Sequence, residues 1–206
     1  MAPAAARVGC QRMATRAGFA YPKVPSPFHH MPQTPPPLIL TLTLDAATQA
    51  YFEALRQAHF PSALNHLAAH LTLFHQLPGT ERAAVAARLQ AVADSQRILP
   101  LQVTGLRPLG RGVAFRLEND ELRALHRQLQ VDFARQLTPQ DQQKLQPHVT
   151  IQNKVAPAAA TQLLAELQAG FVPFEAVGTG LHLWAYRDGP WESLAQFPFG
   201  GTPPLG

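Results

Sequence analysis

The chain has 206 residues, of which 46% are hydrophobic and 15% are charged, and its formal net charge is +4. This composition excludes a globally disordered protein, and the single cysteine excludes a disulfide framework and a cysteine-rich zinc site. No apolar run approaches the roughly 20 residues that a membrane-spanning helix needs. We therefore expect a globular protein that makes no use of a membrane, and the near absence of cysteine agrees with a cytoplasmic location.

The excess positive charge belongs to the N-terminal segment 1–37. This segment contains Arg7, Arg12, Arg16 and Lys23, no acidic residue, and eight of the 20 prolines. Because proline disfavours both helices and strands, we predict a disordered, proline-rich basic extension here. Beyond it the acidic and basic residues balance, so a broad basic surface that binds nucleic acid regardless of sequence is not expected.

Residues 38–199 are predicted to form one folded domain, followed by a short tail over residues 200–206. Its first part contains β-rich or alternating segments, which predict strands at residues 38–44, 69–75, 99–106 and 113–117. Apolar residues at spacings of three and four predict helices that begin after Asp45, at Thr80 and at Asn119, the last of them reaching residue 137.

The second part of this domain has the same mixed character. A strand follows Pro147, and a helix carries Leu163 and Leu167. The remaining segments predict strands at residues 174–177, 180–186 and 193–199, with turns at 178–180 and 188–190. Because strands and helices do not alternate strictly, the pattern indicates an α+β fold rather than a doubly wound parallel sheet.

Two parts of the domain repeat each other. When His70 is aligned with His148, the Leu-Gln-Ala segment 89–91 falls without a gap on the identical segment 167–169. Both copies have the order of a strand, a loop and an amphipathic helix. We therefore predict two related lobes, that is, a pseudo-symmetric duplication.

The aligned strands share the tetrapeptide His-Φ-Thr-Φ, where Φ is a branched aliphatic residue: HLTL at 70–73 and HVTI at 148–151. Composition alone gives an expectation of about 0.02 such tetrapeptides per chain, so a pair is not a coincidence. Residues i and i+2 of a strand face the same side, so each His and Thr project together while the aliphatic residues anchor the other face.

Two imidazoles and two hydroxyls around one cleft would suit phosphodiester chemistry. Since an imidazole titrates near neutral pH, one ring can accept a proton while the other donates one. Hydroxyl groups can hold the non-bridging phosphate oxygens and stabilise the charge that develops there. This set of groups needs no metal ion.

In their contexts, AHLTLFHQ at 69–76 and QPHVTIQNKVA at 146–156, the two motifs resemble the signature of the 2H phosphoesterase superfamily. Within it, the chain is similar to the 2′-5′ RNA ligase and 2′,3′-cyclic phosphodiesterase family over residues 38–199. The resemblance implies a bilobal α+β domain in which antiparallel sheets flank a central cleft and helices lie outside.

The resemblance also implies the roles of the motif residues. His70 and His148 would be the acid–base pair, in either order, and Thr72 and Thr150 the phosphate ligands. The implied reaction opens a 2′,3′-cyclic phosphate with water, or joins RNA ends through a 2′-5′ linkage without ATP. The expected partners are RNA ends or nucleotides with a 2′,3′-cyclic phosphate, acted on by a monomer without metal or other cofactor.

The chain departs from this family at one point. Many relatives carry an arginine shortly after the second motif, where this chain has Gln-Asn-Lys at 152–154. Lys154 and Arg116 are therefore the candidates for an additional phosphate contact, and Tyr186 is a candidate for stacking on a base.

Other interpretations remain open at this point. A helix could place His66 and His70 together as zinc ligands, although the glutamate of the HExxH pattern is missing. His75 is expected to face away from His70 because it lies five residues further along a regular strand. The domain could also bind RNA or nucleotides without catalysis, or act on small cyclic nucleotides instead of RNA.

Overall fold

The computed structural model describes residues 35–201, and this part contains seven strands and four α-helices. In chain order they are β1 (Leu38–Leu44), α1 (Ala46–His59), β2 (Leu71–Leu77), α2 (Arg82–Ser95), β3 (Leu99–Pro108), β4 (Val113–Glu118), α3 (Asp120–Asp132), β5 (His148–Gln152), α4 (Pro157–Ala169), β6 (Phe174–Tyr186) and β7 (Trp191–Pro198). The predicted extension over residues 1–37 and the tail over 200–206 lie largely outside the described residues. Within residues 35–201, no helix is both long enough and apolar enough to cross a membrane.

Local sequence signals explain where the helices begin. Asp45 caps α1 by accepting a hydrogen bond of 3.0 Å from the amide of Thr48, and Asn119 caps α3 through the amide of Leu122 at 2.6 Å. These bonds satisfy amides that have no partner within the helix. Helix α2 begins at Arg82 and not at Thr80 as predicted, because a short 3₁₀ turn (Gly79–Glu81) precedes it. Helix α3 ends at Asp132, five residues before the predicted end.

One prediction about the C-terminal strands is wrong. Residues 174–177 and 180–186 form a single strand of 13 residues, β6, and residues 178–180 are not a turn. The glycines of this segment allow the neighbouring strands β1 and β7 to approach closely. A Cβ atom on Gly180 would lie 2.7 Å from the carbonyl oxygen of Phe197, and one on Gly178 would lie 3.0 Å from a methyl group of Leu42.

Replacing Gly180 with alanine is expected to destabilise the protein by about 1–3 kcal/mol, because the new methyl group must push β7 away from β6. Gly170→Ala is the matched control, since Gly170 has φ −110° and no atom would lie within 4 Å of its added Cβ. The measurement is the free energy of unfolding in urea. Equal stabilities of the two variants would show that β6 and β7 are not packed this closely.

All the strands pair in antiparallel fashion in one sheet with the order β2-β1-β6-β3-β4-β5, and β7 adds to β6. This confirms the α+β class and its antiparallel sheet. The predicted pair of sheets is joined into one because β6 is shared. Its beginning pairs with β3, and its later part pairs with β1 on one edge and β7 on the other.

The strand order is that of a duplication. When β1 is exchanged with β4, β2 with β5 and β3 with β6, the strand order becomes the reverse of itself. The helices obey the same symmetry. Helix α1 of the first half packs on β5 of the second, and α3 of the second half contacts β2 of the first through His126, which stacks on Phe74 at 4.6 Å. Each half therefore covers the motif strand of the other.

Candidate active site

The two His-Φ-Thr-Φ motifs occupy the start of equivalent strands. His148 is the first residue of β5, and His70 directly precedes β2. Thr72 and Thr150 are partly exposed, whereas the four aliphatic residues of the motifs are buried. Each histidine and threonine therefore lies on the face of the sheet away from the hydrophobic core, as strand alternation requires.

The two motif strands, β2 and β5, come together although they are the first and the last strand in the order of the sheet. β2 and β5 contact each other. Thr72 and His148 line one cavity of about 290 Å³. His148 is also close enough to His70 to influence its pKa. The structure thus brings Thr72 of the first motif and His148 of the second to one cavity, whose lining does not include His70 or Thr150. Thr150 follows His148 on the same face of β5.

Both imidazole rings are held in the same way. The Nδ1 atom of His70 lies 2.7 Å from the carbonyl oxygen of Ala68, and Nδ1 of His148 lies 2.9 Å from that of Gln146. Since a carbonyl oxygen only accepts, Nδ1 carries the proton and donates in both cases. This hydrogen bond fixes the tautomer and leaves Nε2 for a substrate.

Burial sets the protonation state of the pair in the free protein. It lowers the pKa of His70 to about 4, against the opposing effect of the hydrogen bond to Ala68. Burial also lowers the pKa of His148, where the bond to Gln146 opposes it and Arg107 adds to the lowering. Both rings are therefore neutral at pH 7, and each is able to accept a proton there.

A buried arginine connects the two motifs. The side chain of Arg56, in a residue that is only 4% exposed, donates from Nη1 to the carbonyl oxygen of Thr150 at 2.8 Å. Its Nε atom lies 3.0 Å from the carbonyl oxygen of Leu67 and 2.9 Å from Oδ1 of Asn65. Sequence reasoning missed this residue, although its place four residues after buried Phe52 puts it on the apolar face of α1.

Other side chains hold the first motif in place. From α1, Glu53 accepts a hydrogen bond of 2.6 Å from the amide of Ala69, and Gln49 donates to the carbonyl oxygen of the same residue at 2.8 Å. From α3, Nε2 of His126 donates to the carbonyl oxygen of Leu73 at 3.1 Å. The backbone on each side of the catalytic candidates is therefore anchored by the two helices.

Arg116 lies beside the second motif. It is the β4 partner of His148, so the two side chains share a face of the sheet. Its Nε atom donates to the hydroxyl of Thr104 at 3.1 Å and lies 3.6 Å from Glu118. A groove at this position is lined by Arg107, Arg116 and Arg123 among others.

The other two predicted substrate contacts lie further out. Lys154 occupies an exposed turn after β5, with φ 62°, and is not among the residues that line the cavity at Thr72 and His148. Tyr186 is the last residue of β6 and is 38% exposed.

An aromatic wall lies beside His70. The ring of Trp191 is 4.7 Å from the imidazole of His70 and 6.1 Å from the ring of Trp184. Trp184 is fixed by a hydrogen bond of 2.9 Å from its indole nitrogen to the hydroxyl of Thr41, and His182 stacks on it at 3.6 Å. These side chains therefore form one aromatic cluster beside His70.

The prediction for His75 is wrong. Its side chain lines the same cavity as Thr72 and His148. The pairing of β2 with β1 is irregular at this point, so Leu73 and Phe74 are both buried and the alternation shifts by one residue. His66 and His70 do not share a helix, because irregular chain separates the turn at Ser62–Leu64 from β2.

The fold occurs in proteins of known structure. TT0787 of Thermus thermophilus is 18% identical with a TM-score of 0.59, and the match covers 80% of this chain and 98% of that one. Escherichia coli LigT in its apo form is 18% identical with a TM-score of 0.53, and the match covers 80% and 98% of the two chains. LigT complexed with ATP is 18% identical with a TM-score of 0.51, covering 81% and 98%.

Sequence comparison identifies the family. Curated protein sequences contain no match to this chain. The model of one protein family, the 2′-5′ RNA ligase superfamily, matches residues 44–190, a span that includes both histidine motifs and six of the seven strands in whole or in part. The chain therefore belongs to the 2′-5′ RNA ligase superfamily of 2H phosphoesterases, as its two motifs predicted.

Proposed function

We propose that the protein is a metal-independent phosphoesterase that opens 2′,3′-cyclic phosphates at RNA ends. The observation that carries this proposal is the duplicated motif, whose two imidazoles are held by equivalent hydrogen bonds. The same groups serve an ATP-independent ligation in which a ribose 5′-hydroxyl takes the place of water. Complexes of E. coli LigT with ATP and with NADP+ support a nucleotide as the substrate class.

In the proposed hydrolysis, one imidazole accepts a proton from water while the water oxygen attacks phosphorus. The bond from phosphorus to one of the two ribose oxygens breaks, and the second imidazole, protonated beforehand, donates its proton to that oxygen. The hydroxyls of Thr72 and Thr150 hold the non-bridging oxygens, where negative charge develops. In ligation the bond to the 3′-oxygen breaks, which leaves a 2′-5′ linkage.

Turnover of 2′,3′-cyclic AMP in excess EDTA tests this proposal. The product is a phosphomonoester, which ³¹P NMR distinguishes from the strained cyclic diester. We expect the same rate with and without the chelator. Nucleotide binding without turnover of 2′,3′-cyclic AMP or a cyclic-phosphate oligonucleotide would favour a non-catalytic binding module instead.

The value of kcat/KM is expected to be greatest on the acidic side of neutrality. The reaction needs one neutral and one protonated imidazole, and the pKa of each is lowered from 6.5 in the free protein, that of His70 to about 4. The singly protonated pair is therefore populated above about pH 4 and below a second pKa, that of His148, which itself lies under 6.5. Above this second pKa, kcat/KM should fall about tenfold per pH unit. A profile of kcat/KM against pH measures this, and a maximum above pH 8 would contradict the assignment.

A further inference from the structure

The cavity that Thr72 and His148 line continues beyond these two residues. Its lining also includes three side chains that are or can become cationic, His75, Arg107 and Lys144. Three glutamine side chains that can donate hydrogen bonds lie among them, Gln140, Gln143 and Gln146. The proposed hydrolysis at the motifs assigns no role to these groups.

His75 is fixed by a buried carboxylate. Asp141 is 3% exposed, and its Oδ1 atom accepts hydrogen bonds from the His75 backbone amide at 2.8 Å and from His75 Nδ1 at 3.2 Å. Its Oδ2 atom accepts from the amide of Gln76 at 2.9 Å and from the hydroxyl of Thr138 at 3.2 Å. The carboxylate is therefore fully engaged by donors, and it orients His75 with Nε2 left for the cavity.

The carboxylate at this site remains ionised. Burial alone would raise the pKa of Asp141, but the hydrogen bonds from the side chain and amide of His75 and from the amide of Gln76 outweigh burial and hold the pKa below its usual range. An imidazole that binds an anion through one nitrogen is favoured in its charged form when an ionised carboxylate accepts a hydrogen bond from the other nitrogen.

The two permanent cations of the cavity are not neutralised by acidic neighbours. Within residues 35–201, neither Arg107 nor Lys144 has a carboxylate oxygen within 4.0 Å, and the one side-chain bond of Arg107 there goes to the amide oxygen of Gln146 at 3.2 Å. Arg107 also faces the cleft, because it pairs with Ala114, which pairs in turn with Thr150. The cavity thus offers cationic groups that can bind an anion.

We propose that this cavity binds a second phosphate of the substrate, held by His75, Arg107 and Lys144, next to the scissile phosphate at Thr72 and His148. The inference rests on the proposed function and narrows its substrate class. The preferred substrate then carries a 2′,3′-cyclic phosphate and one more phosphate nearby. That phosphate is either a 5′-monophosphate on the same nucleoside or the phosphodiester that links it to the preceding nucleotide in RNA.

Four substrates separate these sources: 2′,3′-cyclic AMP, its 5′-phosphorylated form, the dinucleotide ApA ending in a 2′,3′-cyclic phosphate, and the same dinucleotide with an uncharged methylphosphonate linkage. We expect kcat/KM to rise about 10- to 100-fold with the second phosphate, since hydrogen bonds to charged groups are worth about 1.5–3 kcal/mol. The substrate that shows the gain identifies the source. The proposal would be overturned if neither the 5′-phosphorylated form nor the ApA dinucleotide has a higher kcat/KM than 2′,3′-cyclic AMP. It would also be overturned if the dinucleotide with the uncharged linkage shows the same gain in kcat/KM as the charged dinucleotide.

Variants test the assigned side chains. Lys144→Ala and His75→Ala should each reduce the advantage of the two-phosphate substrate by about tenfold, mainly through KM. Arg97→Ala removes an exposed cation from outside the cavity and is the matched control. An advantage that survives both cavity substitutions would contradict the assignment.

Binding measurements distinguish failure of this inference from failure of the proposed function. Calorimetry compares adenosine 3′,5′-bisphosphate with adenosine 3′-monophosphate, and neither ligand needs to be turned over. If the bisphosphate binds at least tenfold more tightly and Lys144→Ala removes the difference, the subsite exists even where no cyclic phosphate is hydrolysed. Hydrolysis of cyclic phosphates with equal affinity for the two ligands would leave the proposed function intact and reject the subsite.

Discussion

Replacing His148 with alanine is expected to lower kcat on a 2′,3′-cyclic phosphate by about 10²–10⁴-fold, the usual cost of losing a general acid or base. His70→Ala should have an effect of the same order, because the two rings are held by equivalent hydrogen bonds to the carbonyl two residues earlier. The measurement is the single-turnover rate at saturating substrate. Since the pair acts as a unit, the double variant should be little slower than either single variant.

His66→Ala is the control for these substitutions, because His66 is exposed and lies outside the cavity. It should retain the rate of the unmodified protein. Each variant needs an unchanged circular dichroism spectrum before its rate is compared. Full activity of His148→Ala would reject the assignment of the acid–base pair.

Arg56→Met is expected to lower the free energy of unfolding by about 2–4 kcal/mol, because it removes the hydrogen bonds that the buried guanidinium donates to the partly buried carbonyl oxygens of Leu67 and Thr150. The loss is smaller than the sum of the broken bonds. Burying a guanidinium is itself costly, as the lowered pKa of Arg56 indicates, and methionine removes that cost. Chemical denaturation measures the change.

The same substitution is expected to reduce kcat, because Arg56 joins the approach to the first motif with the backbone of the second. Arg82→Met is the matched control, since Arg82 is an exposed residue at the start of α2. A stability within about 0.5 kcal/mol of the unmodified protein, the range of ordinary surface substitutions, would show that Arg56 does not connect the motifs.

The exchange of contacts between the halves explains why these effects should be large. Helix α1 packs on β5, and His126 of α3 bonds to β2, so each motif strand is held by a helix of the other half. The β6 strand of the second half completes the first half of the sheet, beside β1. A defect in one half therefore reaches the motif of the other.

Local patterns in the sequence were enough to predict much of this molecule. The alternation in the two motifs placed each histidine and threonine on one face, because side chains of a strand alternate whatever lies around it. Asp45 and Asn119 marked helix starts, because a cap depends on atoms three residues away. The repeat of His70 at His148 indicated the duplication and the family.

Contacts between distant residues decided the rest. Gly178 and Gly180 indicate a turn in the sequence, but the backbone of β7 approaches Gly180 too closely for a side chain, and the side chain of Leu42 from β1 packs against Gly178. His75 enters the cleft because β2 pairs irregularly with β1, and Arg56 joins the motifs through Thr150, 94 residues away. Periodicity and capping act over one or two turns of chain, whereas register, bulges and the lining of the cleft depend on which segments meet, and only the tertiary structure determines that.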